Sequence, residues 1–111
     1  MFALKKETDY AVQLLQYLNR KKKTFVSLRE FSEKSGISFW FLQKIARKLN
    51  LAGIIEAEQG VNGGYRVHGS LKNLNLYKIF EIMEGKMAAA KSKMNAKLNK
   101  DIIKVLQKVK I

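Results

Sequence analysis

Gln43, Lys44 and Arg47 stand close together in the stretch SFWFLQKIARKLN (38–50), an amide and two cations with no acid among them. Such a trio suits a polyanion that also presents base edges. Lys44, Arg47 and the neighbouring Lys48 can neutralise phosphates, which gives affinity without sequence information and makes it fall steeply with salt. Gln43 can donate and accept in one plane, the geometry that pairs with adenine N6 and N7, and is the best candidate for direct base readout. Ser38 can offer its hydroxyl to a base or a phosphate while backbone N–H groups beside it face an anion; its plainer role is to cap a helix. Trp40 either packs on a thymine methyl or a sugar, or rolls inward beside Phe39 and Phe41 to seal a core. Downstream, Gln59, Asn62, Gly63 and Arg66 surround a glycine-rich turn. Arg66 would add a phosphate contact, and Asn62 and Gly63 offer amide and backbone groups to a groove or simply form the turn. Tyr65 is expected to pack beneath that turn, and His68, the only histidine, to be a surface residue.

To act together these side chains must share one helix face next to a hairpin. Leu42, Ile45 and Leu49 recur at intervals of three and four, as one buried face requires, and Trp40, Gln43, Lys44 and Arg47 fall at the complementary positions. Ser38 as N-cap and Gly53 as a left-handed exit bound a helix over 38–52. Ile54 and Ile55 open a β-branched run that stops at Gly60-Val61-Asn62-Gly63-Gly64, and Tyr65, Arg66 and Val67 return as a second strand. Upstream, Ser27 and Glu30 form a capping box for a short helix that buries Leu28 and Phe31 and ends at Gly36. Two helices joined by Ser35-Gly36-Ile37 make a helix-turn-helix. A further helix, from about Thr8 to Asn19 with Thr8 or Asp9 near its start, turns Tyr10, Ala11, Leu14, Leu15, Tyr17 and Leu18 inward. Arg20 to Lys23 is a solvated loop or a phosphate contact, and Thr24 to Val26 can add a third strand. Residues 70–75 form a polar connection to a fourth helix, built on Leu76, Ile79, Phe80 and Met83 and closing at Gly85.

The fold class expected is mainly α with a small β-wing: a winged helix-turn-helix over residues 1–85, followed by a C-terminal dimerisation helix over 86–111. In that last segment Met94, Leu98, Ile102, Val105 and Val109 recur at spacings of four, four, three and four, with Ile103 and Leu106 on the flank. A small domain leaves such a stripe little partner surface. It either pairs with a second copy, which suits two-fold related half-sites on a duplex, or folds back on its own core.

Composition narrows the function. At 111 residues there is room for one domain and one core. Twenty-two Lys and Arg against nine Asp and Glu give a formal charge of +13, which calls for a polyanionic partner, nucleic acid or an anionic membrane surface. The basicity is not confined to one arm, although residues 86–111 hold eight lysines and one acid, Asp101. A hydrophobic content of 47 % excludes a disordered basic tail. No apolar run approaches the roughly 20 residues that span a bilayer, and MFALKKETDY turns polar too early for a signal peptide, so a soluble, cytoplasmic protein is expected. The terminal helix scatters its lysines and carries no tryptophan, which argues against a membrane-surface role. With no cysteine at all, disulfides, thiolate catalysis and cysteine-held zinc or iron–sulfur clusters are excluded, and no cofactor or metal is expected. One histidine, no phosphate-cradling loop ahead of a helix and no paired carboxylates in an apolar setting leave an enzyme almost without support. There is no proline, internal repeat or low-complexity block.

TDYAVQLLQYL (8–18), VSLREFSEKSGIS (26–38), FLQKIARKLNLAGIIEAEQGVNGGYRV (41–67) and IFEIMEG (79–85) together resemble the Rrf-two family of bacterial winged-helix transcription regulators. Its members include the iron–sulfur cluster regulator, the nitric-oxide-sensing repressor and the cysteine-metabolism repressor. The resemblance covers residues 1–85. It implies a homodimer, a repressor for preference, that reads an inverted-repeat operator in double-stranded DNA. The helix 38–52 would enter the major groove, the wing 59–66 would point toward the minor groove, and a long C-terminal helix would form the dimer interface. Two departures matter. Many members hold an iron–sulfur cluster through three cysteines after the fourth helix, whereas KMAAAKSKMNAK (86–97) has none, so no cluster is expected here. The family's arginine just before the first wing glycine is Gln59 here, and glutamine lacks the charge that a narrow minor groove attracts, so a weaker or altered wing contact is expected. The alternative function is a winged-helix interaction module that no longer binds specific DNA and holds another protein through Trp40 or the terminal helix.

Overall fold

The computed structural model describes residues 6–84 and residue 108. Helix α1 (Lys6–Arg20) buries Ala11, Leu14, Leu15, Tyr17 and Leu18, the three-and-four pattern of its sequence. It is already helical at Lys6, so Thr8 is not a cap: it lies inside the helix, wholly buried on the inner face. The acids of the first turn, Glu7 and Asp9, suit the positive end of the helix dipole. A turn over 21–23 then leads into α2 (Leu28–Ser35). The Ser27 hydroxyl accepts the Glu30 N–H at 3.1 Å, and Gly36, left-handed at φ 79°, donates its N–H to the Ser32 carbonyl at 2.9 Å.

Helix α3 (Phe39–Leu51) occupies the centre, packed on α1, on α2 and on strand β1 (Ile55–Glu58) through Leu42, Ile45, Ala46 and Leu49. Ser38 holds the N-cap position, but its hydroxyl makes no cap bond; the Leu42 N–H bonded to the Ser38 carbonyl at 3.0 Å closes the first turn. Gly53 at φ 78° carries the chain out of α3 as expected. Strand β1 pairs antiparallel with β2 (Gly64–Val67), from Ile55 opposite Val67 to Glu58 opposite Gly64.

The third strand is reduced to a single bridge. Val26 and Tyr65 exchange both backbone hydrogen bonds at 2.8 Å, after which Ser27 turns away to cap α2. At Gly64, with φ 148°, a Cβ would run into the Val26 carbonyl and the Ser27 nitrogen, so only glycine lets the wing sit this close to the start of α2. The connection over 70–75 is less polar than expected, since Leu71 and Leu74 are buried in the common core. Helix α4, described over residues 76–84, adds Ile79 and Met83 to that core, while Leu76 and Phe80 are only half-buried. The expected dimer residues Met94, Leu98, Ile102, Val105 and Val109, and the segment 86–97, lie outside the described residues.

Candidate nucleic-acid interface

A helix turning about 100° per residue arranges the outer side of α3 in two rows. Gln43, Arg47 and Asn50 form one, and Trp40, Lys44 and Leu51 the other; all six are exposed. Trp40 is 78 % exposed, so of its two readings the outward one describes the molecule. Sealing falls to its neighbours. Phe41 sits edge-on to Tyr10 with centroids 5.3 Å apart, and Phe39, partly buried, meets the Trp40 ring edge at 6.0 Å.

The first row faces the wing across an open cleft of about 630 Å³, floored by Phe39 and Tyr65 and walled by Gln43, Arg47, Arg29 and Glu58. Arg29 reaches it from the first turn of α2, its guanidinium 4.7 Å from the centre of the Phe39 ring. Sequence reasoning missed this residue. The signal was present, because a cation in the first turn of a helix opposes the dipole and is poorly explained by helix stability. Asn50, also missed, continues the line of Gln43 and Arg47. Glu58 brings a carboxylate into the same cleft. Ser38 is exposed beside it without a cap bond, while Gln59 and Asn62 are exposed on the wing. Gly63 is a turn-former first: its N–H donates to the Gly60 carbonyl at 3.1 Å, and a Cβ would strike the Glu58 backbone. Tyr65 is half-buried against the core, as expected.

Three of the expected cations, Lys44, Lys48 and Arg66, make contacts within the protein. The Lys48 ammonium donates to Glu7 Oε2 at 2.9 Å and to the Met83 carbonyl at 2.6 Å, and its side chain is only 31 % exposed. It stands five residues, about 140° around the helix, from Gln43, on the border of the buried face. Lys44 bonds the other oxygen, Glu7 Oε1, at 2.7 Å yet remains 60 % exposed. Burial pushes the Glu7 carboxyl upward, but the hydrogen bonds and charges of Lys44 and Lys48 outweigh it and hold Glu7 below the ordinary 4.5. Arg66 stands directly opposite Glu56 in the sheet, where a cross-strand pair forms readily. Its Nε donates to Glu56 at 2.6 Å, its Nη1 donates to the Lys23 carbonyl at 3.1 Å, and its guanidinium lies 4.2 Å from the centre of the Phe25 ring. His68, exposed, sits 2.9 Å from the same Glu56. The loop residues Lys22 and Lys23 adopt positive φ, and Arg20 and Lys21 lie against the Tyr17 ring.

The family model described as Rrf2, iron-dependent transcriptional regulator, matches residues 4–110. The chain belongs to the Rrf2 family. A curated relative, protein aau3 of Rhizobium meliloti, is 32 % identical over 87 residues, covering 78 % of this chain and 56 % of that protein. The solved structure of CymR, the global cysteine regulator of B. subtilis, superposes with a TM-score of 0.80 at 18 % identity, over 99 % of this chain and 93 % of that one. The structure of T. potens IscR superposes at 0.76 with 26 % identity, over 98 % and 82 %. The chain spans about half the length of the curated relatives it matches. These likenesses establish the winged-helix fold.

An iron–sulfur cluster held by cysteines does not fit this Rrf2 chain, because the sequence supplies no thiolate and a single histidine. Among the described residues, no three His, Cys, Asp or Glu side chains converge as a metal site. Nor is any helix among them long and apolar enough to cross a membrane.

Proposed function

We propose that this chain is a dimeric, sequence-specific DNA-binding transcription regulator that represses at an inverted-repeat operator. It works in the cytoplasm, without catalysis and without a cysteine-held cluster. Residues 38–52 lie in the major groove and the wing, 59–66, points toward the minor groove. The observation that carries this reading is one continuous surface: Gln43, Arg47 and Asn50 exposed in a row on α3, facing Arg29 across the cleft beside the wing. Gln43 reads adenine, Arg29, Lys44 and Arg47 hold phosphates, and Trp40 covers a thymine methyl or a sugar. Ser38 and Asn62 flank this core of the footprint, and Gln59 makes a weaker wing contact than arginine would. Residues 1–85 are the reading domain, and residues 86–111 pair two copies along Met94, Leu98, Ile102, Val105 and Val109. Membership of the Rrf2 family supports the assignment. Selection of bound duplexes from a random pool tests it: recovered sites with two-fold symmetry are expected. Equal binding to every duplex, vanishing in moderate salt, would defeat it.

A second reading draws on the exposure of Trp40, since a large ring in water at the tip of a helix also suits an anchor for another protein. A stoichiometric protein partner together with no duplex shift at low salt would favour that module over the regulator.

A further inference from the structure

The joint around Glu7 assigns Lys48 a part that its charge alone conceals. We propose that Lys48 is a positioning residue: with Glu7 it fixes the orientation of the recognition helix on α1 and α4, and it does not itself touch DNA. This rests on the DNA-binding reading above.

The geometry is that of a three-helix joint. Glu7 of α1 lies 41 residues from Lys48 in the chain and Met83 of α4 lies 35 residues away, yet both accept hydrogen bonds from the one ammonium. Two of its three N–H groups are thereby used inside the protein. Glu7 is only 19 % exposed and divides its oxygens, one to Lys44 and one to Lys48. A phosphate could draw Lys48 away only by leaving a largely buried carboxylate half-paired and by breaking the hydrogen bond to the Met83 carbonyl, and both losses are costly. Lys44, more exposed on the outer row, gives up the other Glu7 oxygen but no backbone carbonyl when it reaches outward. The joint also has leverage. It lies five residues along α3 from Gln43, about 7.5 Å of helix, so a small roll of α3 on α1 displaces the amide that must lie in the plane of a base.

Phosphate ligands and positioning residues leave different marks on salt dependence. The full chain, Lys48→Met, Glu7→Gln and the double variant are titrated with the selected duplex and with a random-sequence duplex over a range of salt, with Arg47→Met as the phosphate control. Methionine keeps the apolar stem of Lys48 while removing its charge. Lys48→Met is expected to weaken the selected duplex by about tenfold and the random one by less than about twofold, with the slope of log K against log salt unchanged. Glu7→Gln is expected to weaken the selected duplex too, although it removes a negative charge, and the double variant to match Lys48→Met. Arg47→Met should flatten the slope by about 0.9, the value of one phosphate. A flattening of that size in Lys48→Met with equal loss on both duplexes, or tighter binding by Glu7→Gln, would overturn the proposal. Should Lys48→Met fail to fold, Glu7→Gln decides alone by the direction of its effect. A wild-type chain that prefers no duplex defeats the DNA-binding reading instead, and the joint is then judged by melting. There the double variant is expected to lower Tm no further than Lys48→Met, and additive losses count against it.

Discussion

On the DNA-binding reading proposed above, Gln43 is the residue on which sequence preference turns. Gln43→Ala is expected to cost about 1 to 3 kcal/mol on the selected duplex and to relax the preference at one base pair per half-site, leaving the salt slope intact. Competition binding against duplexes varied at each position measures it. Its outward direction was legible in the sequence, because the spacing of Leu42, Ile45 and Leu49 leaves Gln43 and Arg47 only the outer side of the helix. The fates of Lys44 and Lys48 were not. Both bond one carboxylate some forty residues upstream, and what separates them is the Met83 carbonyl that Lys48 also holds, partners that no local pattern brings near. Glu7 makes a second expectation possible. Its carboxyl is held below 4.5 in the folded chain, so its contribution to stability is complete above the ordinary carboxylate range and is lost as pH falls through 4.5 toward the lowered value. Urea melts of the wild type and Glu7→Gln at neutral and acid pH should therefore draw together as the pH falls below 4.5, and a gap that widens with acid would contradict the sign.

Where elements meet, a backbone approach sets the position of the wing. Gly64→Ala places a methyl against the Val26 carbonyl and the Ser27 nitrogen, at a φ that side chains rarely adopt. A loss of roughly 1 to 3 kcal/mol in denaturant melts is expected, with weaker duplex binding even where the fold survives, since the wall of the cleft must shift. The second and third helices, the left-handed exit at Gly53 and the hairpin were readable because each rests on a local signal: the Ser27 cap, glycines, three-and-four spacing, β-branched runs. What was not readable depended on distant partners. Thr8 has the chemistry of a cap, yet the packing of α1 draws it inside. Val26 reads as part of a strand, but the chain must leave the sheet at once to begin α2. Residues 70–75 read as a polar connection, yet the core takes Leu71 and Leu74 where the chain crosses to α4.

The whole molecule is judged by its charge and by its symmetry. A chain of +13 binds any duplex weakly at low salt, so affinity for the selected site relative to a random one is the quantity that reports function. On the dimer proposed above, Leu98→Glu combined with Ile102→Glu should give a monomer in sedimentation equilibrium and reduce binding to a symmetric site far more than to an isolated half-site. Unchanged mass would place the seam elsewhere. The only tryptophan of the sequence stands in water at the first turn of α3, so the chain carries its own optical reporter. Without any label, its emission should be readily quenched by acrylamide in the free protein and should shift to the blue and become shielded once a duplex covers that turn. An emission indifferent to saturating duplex would mean that the indole faces away from whatever is bound.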